Sequence, residues 1–208
     1  MKALLLNGAP ANDPTITALH RVLEGELSAA GWRVEPWFLH GAEIAPCRGC
    51  FECWTDTPGE CGTDDDGRRV AASLARSRLV VLLTPVTFGG HSSHLKKAVD
   101  RLIPDILPFM TKVGGETHHE ARYDQRLGLL AIGTLATLDA ESELVFLTLT
   151  ARNAVNFRAE RHAAAVLADG APGPLLERRA RSLLEEMGVA LADSGAGEPD
   201  QSGAEAAG

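Results

Sequence analysis

The run Leu79-Val80-Val81-Leu82-Leu83 contains no polar residue, and that fact removes most architectures. A strand with one wet face alternates apolar and polar side chains. One that is apolar throughout is covered on both faces, as in the centre of a parallel sheet sandwiched between helices. Met1 to Asn7 repeats the pattern, apolar apart from Lys2 and its terminal Asn7. Each run ends in turn residues followed by helical periodicity, so the chain predicts β-α-β units with right-handed crossovers.

Leu19, Val22, Leu23 and Leu27 predict a first helix over 15–30, stopped by Gly31 and N-capped by Thr15 or Thr17. Trp32 to Leu39 reads as a second strand. Asp64-Asp65-Asp66 then precede a helix whose N-terminus they suit as caps, with a divalent ion as the lesser alternative. The third strand, Arg78 to Thr84, leads to a helix over about 93–103, and Leu127 to Ile132 is the fourth strand. A helix near 139–152 follows. A fifth strand is expected within Asn156 to Val166, placed at an edge by Arg158, Glu160, Arg161 and His162, and Pro172 to Gly188 closes the pattern as an amphipathic helix. The 208 residues, 45% hydrophobic, suit one domain over 1–192. Beyond it, Ser, Gly, Ala, Glu, Pro and Gln without apolar period predict a disordered tail over 193–208. From Asp105 to Asp124 the pattern breaks, which predicts a long loop serving as lid or interface. It carries His118, His119 and Tyr123, candidates for substrate contact or proton donation, or else members of a solvated or subunit-contact surface.

Two loops at predicted strand tips suit a ligand. Gly8-Ala9-Pro10, with Thr15 and Thr17 at the helix start, makes an anion site if it is more than a connection, because free N–H groups and the helix dipole face it. Neither G-x-G-x-x-G nor a Walker motif is present. Thr84-Pro85-Val86-Thr87-Phe88-Gly89 is a second such loop, and neighbouring loops of this kind can grip one ligand jointly.

All four cysteines fall between Cys47 and Cys61, as Cys47, Cys50, Cys53 and Cys61. Three thiols at every third residue plus a trailing fourth suit a 4Fe-4S cluster, although the trailing gap is longer than in small ferredoxins. Structural zinc is a rival, less natural because the two knuckles share Cys50. Uncoordinated thiols or a disulfide are the plain alternative, the disulfide being disfavoured in a reducing compartment. Arg48 can offset the negative charge of a cluster.

A formal net charge of −8 with no long basic run argues against nucleic acid as a partner. No apolar segment reaches the length of a membrane span or signal peptide, so a cytoplasmic location is expected.

Five strands alternating with helices fit a three-layer α/β sandwich, for which the flavodoxin-like parallel order 2-1-3-4-5 is expected. In Leu6-Asn7-Gly8-Ala9-Pro10, the cysteine run, and Thr84 to Gly89 followed by Ser93-His94-Leu95-Lys96, the chain resembles the NADPH-dependent FMN reductase superfamily and its iron-sulfur flavoprotein branch. The resemblance implies that Gly8, Ala9, Pro10, Thr15 and Thr17 hold the FMN phosphate. It also implies that Thr84, Pro85, Val86, Thr87, Phe88 and Gly89 lie along the isoalloxazine, and that Gly133 and Thr134 approach its other edge. Where the family commonly has Gly-Ser-Pro-Arg this chain has Gly-Ala-Pro-Ala, losing a hydroxyl and a cation, and Thr87 replaces a common aromatic. The implied protein is a homodimer or homotetramer. It is an FMN oxidoreductase passing electrons from NAD(P)H or a ferredoxin-like donor, through FMN and a cluster, to a quinone, a flavin or another acceptor. Lacking a dinucleotide fingerprint, it would stack the nicotinamide transiently on the flavin. The alternative is a non-enzymatic binding or redox-sensing scaffold with a zinc-bound or metal-free cysteine loop.

Overall fold

In a computed structural model, which describes residues 1–192, the two apolar runs are the sheet's buried centre. Strands β1 (Lys2–Asn7) and β3 (Leu79–Pro85) lie side by side, with β2 (Arg33–Phe38) outside β1, and with β6 (Gly128–Leu135) and then β7 (Arg161–Ala168) outside β3. All pairings in this sheet are parallel. The order is 2-1-3-4-5 counted over the five strands of the sheet, as expected for the flavodoxin-like fold.

Alternation along β1 sends its residues into two cores. Ala3 and Leu5 pack beneath α1 (Pro14–Ala29) and α6 (Gly173–Glu186), with Leu19, Leu23 and Leu184. Leu4 and Leu6 face the opposite layer, where α3 (Asp66–Leu74), α4 (Ser93–Asp100) and α5 (Ala140–Asn156) contribute Val70, Leu95 and Phe146. Burial on both faces is why these strands carry no alternating polarity. The one basic residue of β1, Lys2, is buried and answered by Glu35 at 2.7 Å.

Three expectations need correction. The segment from Asp105 to Asp124 is not an irregular loop: β4 (Ile106–Val113) and β5 (Glu116–Ala121) form an antiparallel hairpin outside the main sheet. Gly114 and Gly115 make the turn, with φ of 56° and 87°, the pair of positive values that a two-residue hairpin turn demands. Pro108 sits where the register shifts between Ile106 and Met110, which hid the strand's pattern. The cap of α1 is neither Thr15 nor Thr17 but Asp13, whose carboxylate accepts the Ile16 N–H at 2.9 Å ahead of Pro14. Finally, α5 runs past the expected 152 to Asn156, and the fifth strand of the sheet, which starts at Arg161 inside the expected range, continues beyond Val166 to Ala168; it is an edge strand, as expected. Asp65 caps α3 by accepting the Gly67 N–H, as the run of aspartates predicted. The tail expected over 193–208 lies outside the described residues. No helix among the described residues is long and apolar enough to cross a membrane.

Candidate functional site: strand tips and a cysteine cavity

The carboxyl ends of β1, β3 and β6 are tied together by short polar bonds. Ser92 Oγ donates to the Gly8 carbonyl at 2.6 Å, the Ser92 N–H donates to Thr84 Oγ1 at 2.8 Å, and the Val86 N–H donates to the Thr134 carbonyl at 2.8 Å. Close approach here depends on missing side chains. A Cβ on Gly8 would stand 2.6 Å from Leu95 Cβ, and one on Gly133 would stand 2.5 Å from Val86 Cγ2. Thr87 and Gly90 exchange hydrogen bonds at 3.0 and 2.9 Å, so Phe88 and Gly89 form a tight tip with φ of 51° and 73°. Phe88 is fully exposed there. A non-glycine residue held at positive φ is strained, and such strain gathers at functional loops. Thr134 is buried at the tip of β6 and its hydroxyl has no partner among the described residues, which is costly unless something supplies one. Half-buried beside this loop, His91 packs edge-on to Phe146, and desolvation, assisted by Lys96, lowers its pKa to about 4.

Around the first loop, Asn7, Thr17, His20, Arg21, Glu24 and His40 are among the residues lining a cavity of about 370 Å³. Arg21, from α1, brings a cation to this cavity, and Glu24 brings a carboxylate. Thr17 lines this cavity, whereas Thr15 is buried and its hydroxyl accepts the Gly170 N–H at 2.9 Å, tying α1 to the β7–α6 connection. Asp13 caps the helix with its own carboxylate, so an anion entering here would rely on Arg21, Thr17 and loop N–H groups more than on the helix end. An orphaned hydroxyl, a glycine-dependent approach of backbones and a polar cavity at the first loop, lined by both Arg21 and Glu24, leave room for a phosphorylated planar ring.

The cysteine segment behaves differently. It holds only one short helical turn, α2 (Glu52–Thr55), entered through Phe51 at φ 60°. Cys47 and Cys50 are exposed, Cys61 is half-buried and Cys53 is buried, yet all four line a single cavity of about 250 Å³ with Arg48, Arg101, Ile103 and Pro104. Burial, and then the sulfurs of Cys61, Cys47 and Cys50, push the Cys53 thiol up, an effect that requires the four to be near neighbours. One zinc ion would need each sulfur about 2.3 Å from a common point. Among the described residues no three His, Cys, Asp or Glu side chains are gathered that tightly. The four thiols share this cavity with eight other residues.

The hairpin splits its candidate residues, because neighbours in a strand face opposite ways. His119 reaches the cysteine segment: its ring lies 5.0 Å from that of Trp54, which stacks on Phe51 at 4.8 Å and donates to the Ile106 carbonyl at 2.9 Å. Tyr123 also abuts that segment, its hydroxyl 3.0 Å from where a Gly59 Cβ would stand. His118 turns away to Asn156 and Glu116, both at 3.0 Å. Asp105, at the hairpin's base, is raised to about 7 by burial against the opposing pull of Arg122, and one of its carboxylate oxygens has no partner among the described residues. Arg101, Asp105, His91 and Trp54 carried no local sequence signal. Of these, Arg101 sits at the end of an ordinary amphipathic helix and becomes special only when Ala45, Thr63 and Asp65 reach it from afar.

A flavodoxin-like sheet with ligand-ready strand tips defines a class, the flavin-binding α/β sandwiches. Residues 1–118 match the family model of the NADPH-dependent FMN reductases, more than half of the chain, and the chain belongs to that family. It is 32% identical over 117 residues to an iron-sulfur flavoprotein of Methanocaldococcus jannaschii, covering 55% of this chain and 60% of that one. It is also 32% identical over 101 residues to an iron-sulfur flavoprotein of Archaeoglobus fulgidus, covering 49% and 48%. The matches therefore span about half of these curated relatives. Among solved structures, an NAD(P)H:quinone oxidoreductase from Methanothermobacter marburgensis superposes with a TM-score of 0.61 at 14% identity, over 88% of this chain and 93% of that one. An FMN-dependent NADH-azoreductase from Bacillus anthracis superposes at 0.59 and 14%, over 89% and 96%. At such identity the superpositions establish the fold.

Proposed function

We propose that the chain is an FMN-dependent oxidoreductase with a second redox centre of the 4Fe-4S type at Cys47, Cys50, Cys53 and Cys61. The observation that carries this reading is the convergence of all four thiols on one cavity in a member of an FMN reductase family. The names of the relatives support the sulfur-bearing half of it.

In this reading the phosphate of FMN lies against the Gly8-Ala9-Pro10 turn and is held by Thr17 and Arg21, because the Gly8 N–H is taken by the Leu83 carbonyl, the Ala9 N–H by Asn7 Oδ1, and Pro10 has none; Thr15 braces the start of α1. Thr84 to Gly89 flank the ring, with Gly133 and the free hydroxyl of Thr134 at its opposite edge. Bound FMN supplies two-electron chemistry with the option of single-electron return, so the chain needs no acid-base dyad of its own. Its residues orient the ring, exclude water and leave the exposed face beside Phe88 open to a donor. That donor is a reduced nicotinamide stacking without a dinucleotide fingerprint, or a ferredoxin-like protein; the acceptor is a quinone, a flavin or another small oxidant. A homodimer or homotetramer is part of the same reading, with the β4–β5 hairpin as its contact, as is a cytoplasmic setting.

Anaerobic purification with absorption spectroscopy and metal analysis tests it. The expected result is flavin absorption together with broad sulfide-to-iron absorption and about four irons per chain. A colourless protein with stoichiometric zinc would establish the binding or sensing alternative in its place.

A further inference from the structure

Arg101 is the most heavily engaged side chain beside the cysteine cavity. It is 2% exposed, yet it lies in the wall of that cavity. Its Nη1 donates to the Ala45 carbonyl at 2.8 Å and its Nη2 to the Thr63 carbonyl at 3.3 Å, residues that bracket the segment from Cys47 to Cys61. Asp65 holds the same guanidinium in a fork at 2.8 and 2.7 Å and returns to the segment by accepting the Ala45 N–H at 2.9 Å. The remaining donor, Nε, is buried without a hydrogen-bond partner among the described residues, and the Cys61 thiol is the cysteine that interacts with this guanidinium. A buried guanidinium that leaves one N–H unanswered in the wall of a thiol-lined space is costly unless an anion lies there to answer it. Arg48 is the other cation of the cavity wall, and it is exposed.

We propose that Arg101 is the positioning and charge-setting residue of the cysteine site: it clamps both ends of the segment onto α4 and presents buried positive charge and a free Nε–H to an anionic sulfur centre. This rests on the reading of the thiols as a redox site. Arg101 touches the frame of the site and not the reacting atoms of a substrate, so its effect is on potential and order. Within the pair, Arg101 stabilises the more negative, reduced state and Asp65 opposes it. Removing either partner therefore moves the potential in opposite directions, which general damage to the fold cannot do.

The test compares the wild-type chain with Arg101→Gln, Arg101→Lys and Asp65→Asn, each reconstituted anaerobically with iron and sulfide and titrated potentiometrically by electron paramagnetic resonance. Arg101→Gln is expected to lower the midpoint potential by at least a tenfold change in the reduction equilibrium, about 59 mV for a one-electron couple. Asp65→Asn is expected to raise it, and Arg101→Lys, which keeps the charge and loses the fork, to restore most of it. Unchanged potentials, or shifts of one sign in both Arg101→Gln and Asp65→Asn, overturn the charge assignment. Alkylation of the metal-free thiols by iodoacetamide reads the clamp separately. Arg101→Gln and Arg101→Lys are both expected to speed modification of Cys53 roughly tenfold as the segment opens, and equal rates in all chains overturn the clamp. A wild-type chain that takes up no iron sinks the redox reading and with it the charge assignment, leaving alkylation to decide the clamp alone.

Discussion

The strand-tip cradle and the cysteine cavity sit in one domain and are built by opposite means. The cradle is made by backbone: β1, β3 and β6 bring three loops together, and Gly8 and Gly133 let them touch. The cavity is made by side chains: a segment with one helical turn is fastened by Arg101 and Asp65 and flanked by Trp54, His119 and Tyr123. A backbone site tolerates exchanged side chains but not an added Cβ. A side-chain site tolerates backbone variation, but not the loss of its clamp or its ligands.

The largest test of that contrast is Cys50→Ala. It is expected to abolish iron binding while FMN stays bound, read by metal analysis and flavin absorption on one sample. Loss of both from a folded chain would mean that cradle and cavity are one site. Next is Gly8→Val, which drives a side chain into Leu95 and Ser92. Overpacking of this kind costs about 1–3 kcal/mol, and it is expected to weaken FMN binding in fluorescence titration while iron content holds. Unchanged flavin affinity would remove Gly8 from the cradle.

The desolvated titrating groups sharpen the comparison through pH. Asp105 ionises near 7 in the fold against an ordinary 3.8, so the unfolded chain loses that proton first and stability falls as pH rises between the two values. His91 has the reverse sign: it takes its proton only near 4 against an ordinary 6.5, so stability rises with pH across that window. Burial lowers His20 as well, which adds to the histidine side. Asp105→Asn is therefore expected to leave a slope that rises with pH between about pH 4 and 6.5 in urea melts, and His91→Gln to tilt the slope downward. Identical slopes in the two variants would show that neither group is desolvated as described. The smallest effect belongs to Asp13→Ala, expected to cost about 1 kcal/mol of stability by removing the cap of α1, without touching the thiols.

The legibility of the two regions follows the same division. Unbroken apolar runs in β1 and β3 announce a covered parallel sheet because burial on both faces leaves no place for polar residues, and strand tips are where such sheets bind ligands. Cysteine spacing likewise shows without any fold, since neighbouring thiols are close by covalent connection alone. The hairpin was legible in principle at Gly114-Gly115, but Pro108 and the exposed Phe109 and Met110 masked the alternation of β4. Helix α1 misled for a related reason. Pro14 at its first turn and the hydroxyls behind it offered several caps, and only geometry selects Asp13.

The chain's own order of residues determined the sheet, its helical layers and the clustering of the sulfurs, because periodicity and short-range spacing act over a few residues. Folding alone decided that Arg101 meets Asp65 across 36 positions, that His119 and not His118 packs on Trp54 of the cysteine segment, and that Thr134 has a buried hydroxyl without a partner among the described residues. Contacts between distant residues depend on how layers stack, and no local pattern records that.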